Sequence, residues 1–210
     1  QIGREPWRAA AALMWETGRA WTSPIEGTEI AAQAWRRHIS TSRTSSAGRL
    51  FDAAASLVLG IDTASFEGQG PMMLESAAAA ESRAIRLPLE ADENGILRSD
   101  WEPLLPMLTN PGLPRQTRAG VFIESLAQSL TEQAAALAET KSFGAVGLTG
   151  GVFQNRLLAE RAITLLEARG IRAYLPQTLP ANDGGLAFGQ LIERLYLDHT
   201  PDALQNEKAS

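Results

Sequence analysis

Leu148-Thr149-Gly150-Gly151-Val152-Phe153-Gln154-Asn155 decides how this chain folds. The apolar run 145–148 reads as a short strand, the glycine pair as a tight turn, and 154–169 as a helix ended by Gly170. Residues 171–175 read as a second strand. The loop Asn182-Asp183-Gly184-Gly185 then leads into a second helix over 186–197. Strand, helix, strand, helix predicts a parallel α/β unit, and 115–140 before it reads as a long alanine-rich helix.

Upstream the pattern changes. Helices are expected over 5–17, 27–39, 45–59 and roughly 66–82. Pro6 sits in the first turn of the first helix, where proline is tolerated, with Trp7, Ala10, Ala11 and Met14 on one face. Ile30, Ala34 and Trp35 are spaced for burial on the second. Ser45 or Ser46 would cap the third, which Gly60 ends. Around the turn Asp92-Glu93-Asn94-Gly95, a hairpin is predicted over 84–98, because Asn-Gly suits the turn that joins two antiparallel strands. The expected organisation is a mainly helical region over 1–113, an α/β region over 114–198 and a polar tail over 199–210.

Composition narrows the function. Charged residues are only 20% of the chain and apolar ones 44%, which favours a packed core over a disordered polymer. The net charge of −5 and the scattered arginines, including Arg36, Arg37 and Arg43, give no basic stripe for nucleic acid. No apolar run approaches the ~20 residues that span a bilayer. Cysteine is absent, so the chain has no disulfide, thiolate metal site or cysteine nucleophile. The cytoplasm is the expected compartment. The opening Gln1-Ile2-Gly3-Arg4-Glu5-Pro6-Trp7 has no leader character, and a fragment of a longer protein is expected.

Three constellations could carry chemistry. In the first, Gly150 and Gly151 let the backbone come close to a ligand, and the following helix offers free N–H groups to an anion. No Lys-Ser/Thr pair and no third spaced glycine follow, so this is neither a P-loop nor a dinucleotide fingerprint. A tight turn with no ligand is the alternative. The second is Asp183, before a helix at the end of a strand, where open α/β sheets bind ligands. It could hold a metal ion, or simply cap the helix. The third is Gly48-Arg49-Leu50-Phe51-Asp52. A glycine inside a helix suggests close approach, and Asp52, one turn on, could grip the hydroxyls of a ribose. A helix–helix contact beside a solvated Asp is the other reading. Glu67-Gly68-Gln69 and Glu75 read as helix-start residues, and His38 and His199 as lone surface histidines.

These residues carry a resemblance. Thr149-Gly150-Gly151-Val152-Phe153-Gln154-Asn155-Arg156-Leu157-Leu158 and Pro180-Ala181-Asn182-Asp183-Gly184-Gly185-Leu186-Ala187-Phe188-Gly189-Gln190 resemble the C-terminus of the [NiFe]-hydrogenase maturation carbamoyltransferases, the HypF family. Ser45-Ser46-Ala47-Gly48-Arg49-Leu50-Phe51-Asp52-Ala53, Glu67-Gly68-Gln69 and Arg4-Glu5-Pro6-Trp7-Arg8 match the same family in the same order, so the resemblance spans about residues 3–192. It implies one lobe of a two-lobed actin/sugar-kinase-like (ASKHA) α/β fold, helix-rich and with a helical insertion, shared with the Kae1-like threonylcarbamoyl transferases of tRNA modification. It implies that Gly48 and Asp52 hold the ribose, that Gly150, Gly151 and Asn155 face the nucleotide phosphates, and that Asp183 is a metal ligand. The implied reaction moves a carbamoyl group from carbamoyl-adenylate, made upstream from carbamoyl phosphate and ATP, to the C-terminal cysteine of a HypE-type partner. The implied metal is divalent: Mg, Fe or Zn.

The departures are specific. The family's acylphosphatase-like, zinc-finger and adenylate-forming domains are absent, as is the first lobe with its paired histidines. That lobe and the upstream domains are therefore expected partners, whereas nucleic acid and membrane are not. Phe122-Ile123 stands where the family usually has Phe-His, and Gly70-Pro71 where it has Ala-Ala, which puts the packing near residue 70 in question. A nucleotide- or partner-binding lobe without chemistry, and threonylcarbamoyl transfer to tRNA, are the rival readings.

Overall fold

The computed structural model describes residues 4–23 and 25–199, with side chains through residue 196. Residues 200–210 of the expected tail and the side chain of His199 lie outside them. The first helices are α1 (Pro6–Glu16), α2 (Thr28–Arg36), α3 (Ala47–Leu59) and α4 (Gln69–Ala77). A hairpin of β1 (Leu89–Ala91) and β2 (Leu97–Ser99) follows, paired antiparallel with Glu90 opposite Arg98. Asp92 fixes its turn: Oδ1 accepts from the N–H groups of Asn94 and Ile96, and Oδ2 pairs with Arg98. A 3-10 turn, Glu102–Leu104, runs into α5 (Leu105–Leu108), and the long α6 (Arg115–Thr140) comes next.

The last third is the expected α/β unit: β3 (Val146–Gly147), a 3-10 turn at Gly151–Gln154, α7 (Arg156–Glu167), β4 (Ala173–Tyr174), a second 3-10 turn at Asp183–Gly185, and α8 (Leu186–His199). The strands β3 and β4 are parallel, with Val146 opposite Ala173. The helix-rich α/β architecture expected from the sequence is the one observed.

One apolar cluster runs from α3 through α4, α5 and α6 to α7. It includes Phe51, Val58, Leu74, Leu108, Phe122, Leu158 and Leu166. At its centre Phe51 meets Phe122 edge-on, with ring centroids 5.0 Å apart. Arg118 of α6 reaches into this core and donates to the carbonyls of Leu57, Val58 and Leu108, which satisfies helix-end groups that would otherwise be buried unpaired. Trp7, Ala10 and Ala11 of α1 are buried as expected, and α1 packs on α3.

Three local expectations are corrected. First, α2 has no buried residue, and Ile30 is 74% exposed. Its anchor is Trp35 against Trp15 of α1, with ring centroids 5.9 Å apart. The apolar spacing suits a helix face, but among the described residues none of that face is fully buried. Second, the helix over 66–82 is only α4, because the chain leaves helical geometry at Ala78. Residues beyond it run along α6 instead: Ala79 donates to the carbonyl of Gln116 and Ile85 to Ser125 Oγ. Third, Ser46 precedes α3 but its side chain makes no capping hydrogen bond.

Candidate functional site

Asp52 lies on the buried face of α3 and is 3% exposed. Its Oδ2 sits 2.8 Å from Arg49 Nη1, one turn earlier, without the alignment of a hydrogen bond. Burial pushes the Asp52 carboxyl up to about 6; the Arg49 charge pulls against that and Glu67 adds to it. Arg49 Nη2 also reaches Glu67 Oε1 at 3.5 Å. The Gly-Arg and Glu-Gly-Gln motifs therefore meet through one guanidinium, a link that i,i+3 spacing from Arg49 to Asp52 suggests but that Glu67, 15 residues on, does not.

The close approach expected at Gly48 is not there. A Cβ at Gly48 would meet Ser46 Oγ at 3.5 Å, an ordinary contact, so its flank is open space beside Asp52. The tight position is Gly70 of α4, where a Cβ would come within 2.9 Å of Ala55 Cβ and 4.0 Å of Asp52 Oδ1. Gly70, the departure from the usual alanine, lets α4 press on α3 directly beside the carboxylate.

The glycine turn lies against α3. Gly150 has φ 105°, a conformation that a side chain would strain. A Cβ at either Gly150 or Gly151 would meet nothing within 4 Å, so a ligand has room to reach the backbone there. The Phe153 N–H closes the turn on the Gly150 carbonyl at 3.1 Å. The N–H groups of Gly151 and Val152 precede that first bond, the position from which a helical turn offers free donors. Asn155 is 7% exposed and caps α7, its Oδ1 accepting from Leu158 N–H at 2.9 Å. Its buried Nδ2 has no hydrogen-bond partner among the described residues. A buried donor left unpaired costs about 1–3 kcal/mol, so a group that supplies an acceptor there would fit.

The third constellation joins the second. Gly150 N–H donates to the carbonyl of Ala181, which ties the glycine turn to the Asp183 loop. Asn182, not Asp183, caps that loop: its Oδ1 accepts from Gly184 N–H at 3.0 Å. The glycines serve the loop's own closure, since a Cβ at Gly185 would lie 3.0 Å from the Pro180 carbonyl oxygen. Asp183 is exposed, and its carboxylate has neither hydrogen bond nor ion pair among the described residues. The described residues hold no cluster of three or more His, Asp or Glu that could bind a metal ion. No described helix is long and apolar enough to cross a membrane.

Comparison with known proteins places the chain in a family and a fold. The family described as "Carbamoyltransferase, Kae1-like Domain, second subdomain" matches residues 1–190. The chain is 34% identical over 204 residues to carbamoyltransferase HypF of Rhizobium leguminosarum bv. viciae, covering 90% of this chain and 25% of that protein. It is 38% identical over 194 residues to the HypF of Rhodobacter capsulatus, with 90% and 25% covered. A HypF homolog of Cupriavidus necator is 34% identical over 206 residues, covering 89% of this chain and 52% of that protein. Among solved structures, full-length HypF in the phosphate- and nucleotide-bound form superposes with a TM-score of 0.80 at 25% identity, covering 93% of this chain and 27% of that one. The HypF of T. kodakarensis has the same fold, with a TM-score of 0.77. The chain thus spans about a fifth to a half of the length of the curated relatives it matches.

Proposed function

The chain belongs to the carbamoyltransferase HypF family, as the second subdomain of its Kae1-like domain, and from that premise we propose that it supplies the nucleotide-holding half of a carbamoyl-transfer site. Its substrate is carbamoyl-adenylate and its acceptor is the C-terminal cysteine of a HypE-type protein. The acceptor thiolate attacks the carbamoyl carbon, the bond from that carbon to the phosphate oxygen breaks, and AMP leaves with the electron pair. The carbamoylated cysteine serves cyanide-ligand synthesis for a [NiFe]-hydrogenase.

The observation that carries this reading is the Gly150–Ala181 hydrogen bond, which joins the glycine turn to the Asp183 loop, while α3, the helix that carries Asp52, packs on the same turn. Asp52, beside the open flank of Gly48, accepts from the ribose hydroxyls. The Gly150–Gly151 turn and Asn155 Nδ2 donate to phosphate oxygens. Asp183 contributes one ligand to a divalent ion, which when bound neutralises charge on the leaving phosphate. Any further ligands would have to come from outside the described residues, which hold no cluster of three or more metal-binding side chains. This chain supplies no attacking thiol, since it has no cysteine.

The experiment is a transfer assay. Synthetic carbamoyl-adenylate is offered to the assembled Kae1-like domain with a HypE-type acceptor, and the mass shift on the terminal cysteine is read. Nucleotide binding without a mass shift would reduce the chain to a binding lobe. Transfer to tRNA instead would favour the tRNA-modification reading.

A further inference from the structure

We infer that Glu75 is a positioning residue that seals the N-terminus of α7, so that nucleotide phosphates meet the Gly151 and Val152 N–H groups and not α7. This rests on the nucleotide reading above. A glycine turn followed by a helix ordinarily suggests that the helix N-terminus holds the anion. Here that end is filled. Glu75 Oε1 accepts from Arg156 N–H at 2.9 Å and from Leu157 N–H at 3.3 Å, across 81 positions of sequence. Leu158 N–H goes to Asn155 Oδ1 at 2.9 Å, and Ala159 N–H to the Asn155 carbonyl at 3.0 Å. No N–H of the first turn remains for a ligand. A carboxylate already sits at the positive end of the helix dipole, where it would repel a phosphate.

One turn earlier the donors are free. Gly151 and Val152 precede the first hydrogen bond of the 3-10 turn, a Cβ at Gly151 would meet open space, and the buried Asn155 Nδ2 lacks a partner. The element that carries Glu75 also explains why position matters. At its start, α4 presses Gly70 against Ala55 beside Asp52; near its end, Glu75 grips α7. One short helix therefore sets the spacing between the ribose carboxylate and the phosphate turn.

The test compares Glu75→Ala and Glu75→Gln in the assembled Kae1-like domain, by calorimetry with ATP and with adenosine. Glu75→Ala should weaken ATP about tenfold, whereas adenosine, which has no phosphate, should change less than about twofold. Glu75→Gln keeps an acceptor oxygen in place and should restore ATP to within about threefold. Amide exchange at Gly151 and Val152 without nucleotide should speed up in the alanine variant and not in the glutamine one. Tighter ATP binding by Glu75→Ala would show that the freed helix end is the phosphate site and would overturn the inference. So would equal losses for ATP and adenosine, which would mean general damage to the fold, or exchange rates that do not move. If Glu75→Ala fails to fold, Glu75→Asp, one methylene too short to reach both N–H groups, takes its place. No nucleotide binding by the unaltered domain would remove the reading beneath the inference and the inference with it, whereas normal wild-type binding with an indifferent Glu75 would remove only the latter.

Discussion

The backbone N–H of Gly150 donates to the carbonyl oxygen of Ala181, so the glycine turn and the loop that presents Asp183 form one unit. The two adjacent glycines of that turn are not equivalent. Gly150 needs its positive φ, whereas Gly151 does not have one, and a Cβ there would meet nothing. Gly151→Val should therefore leave thermal stability within about 0.5 kcal/mol, yet weaken ADP–Mg²⁺ at least about tenfold by filling the space for phosphate. Gly150→Ala should instead cost the fold about 1–2 kcal/mol. Calorimetry and thermal melts on both variants check the contrast; unchanged ADP affinity in Gly151→Val would leave the turn purely structural.

Asp183 should separate activity from stability more sharply. Its carboxylate is exposed and has no hydrogen bond or ion pair among the described residues, so Asp183→Ala should leave unfolding within about 0.5 kcal/mol of the parent. Carbamoyl transfer by the assembled domain should be lost. Near-normal transfer would show that the metal ligands lie elsewhere.

Asp52 predicts a pH dependence. Its folded carboxyl titrates near 6, above the ordinary 3.8, chiefly because of burial. The group thus favours the folded state most below its unfolded value, and that advantage is lost as pH rises through about 6. On the proposed reading, ribose hydroxyls are held better by the ionised form, both of whose oxygens accept. Nucleotide affinity should fall about tenfold between about pH 7.5 and pH 5 as the carboxylate protonates. Asp52→Asn should abolish that slope and bind nucleotide weakly, while melting no lower than the parent near pH 7.5. A parallel slope in the variant would assign the titration to another group.

The tight contact at Gly70 tests helix packing. A Cβ there would come within 2.9 Å of Ala55 Cβ, which sits on a helix backbone and cannot swing away. Gly70→Ala should cost about 1–3 kcal/mol, even though alanine is the better helix former. Shortening the facing residue as well, in Gly70→Ala with Ala55→Gly, should recover part of the loss.

What the sequence disclosed follows the range of the forces involved. The bounds of α6, the Asn94-Gly95 hairpin turn and the strand–turn–helix at Gly150 rest on local periodicity and turn chemistry, and all three stand in the structure. The single-face reading of α2 failed because burial depends on what packs opposite, which periodicity within one helix does not contain. The site's internal wiring was equally hidden. The link from Glu75 to α7, the contact of Ala181 with Gly150 and the approach of Gly70 to Ala55 each join residues distant in sequence. Glu75 read as a helix-start residue. It does satisfy a helix start, but that of α7 and not of its own helix.

The last prediction concerns the chain by itself. A two-sided site draws its affinity from groups held in place on both sides of the ligand. On the proposed reading, the described residues would offer Asp52 to ribose, the Gly150–Gly151 turn and Asn155 to phosphate, and the exposed carboxylate of Asp183 to a cation. A divalent ion such as Mg²⁺ wants near-octahedral oxygen coordination, so one carboxylate holds it poorly without further ligands. The core from Phe51 to Leu166 is continuous, which favours independent folding. The 210 residues should therefore unfold cooperatively, bind ADP–Mg²⁺ only weakly, and transfer no carbamoyl group from supplied carbamoyl-adenylate. Adding a first subdomain of the same family, fused or as a separate chain, should tighten ADP–Mg²⁺ at least about tenfold and restore the mass shift on the acceptor cysteine. Full transfer by the 210 residues alone would show that the site is complete within them and that its division between two subdomains is wrong.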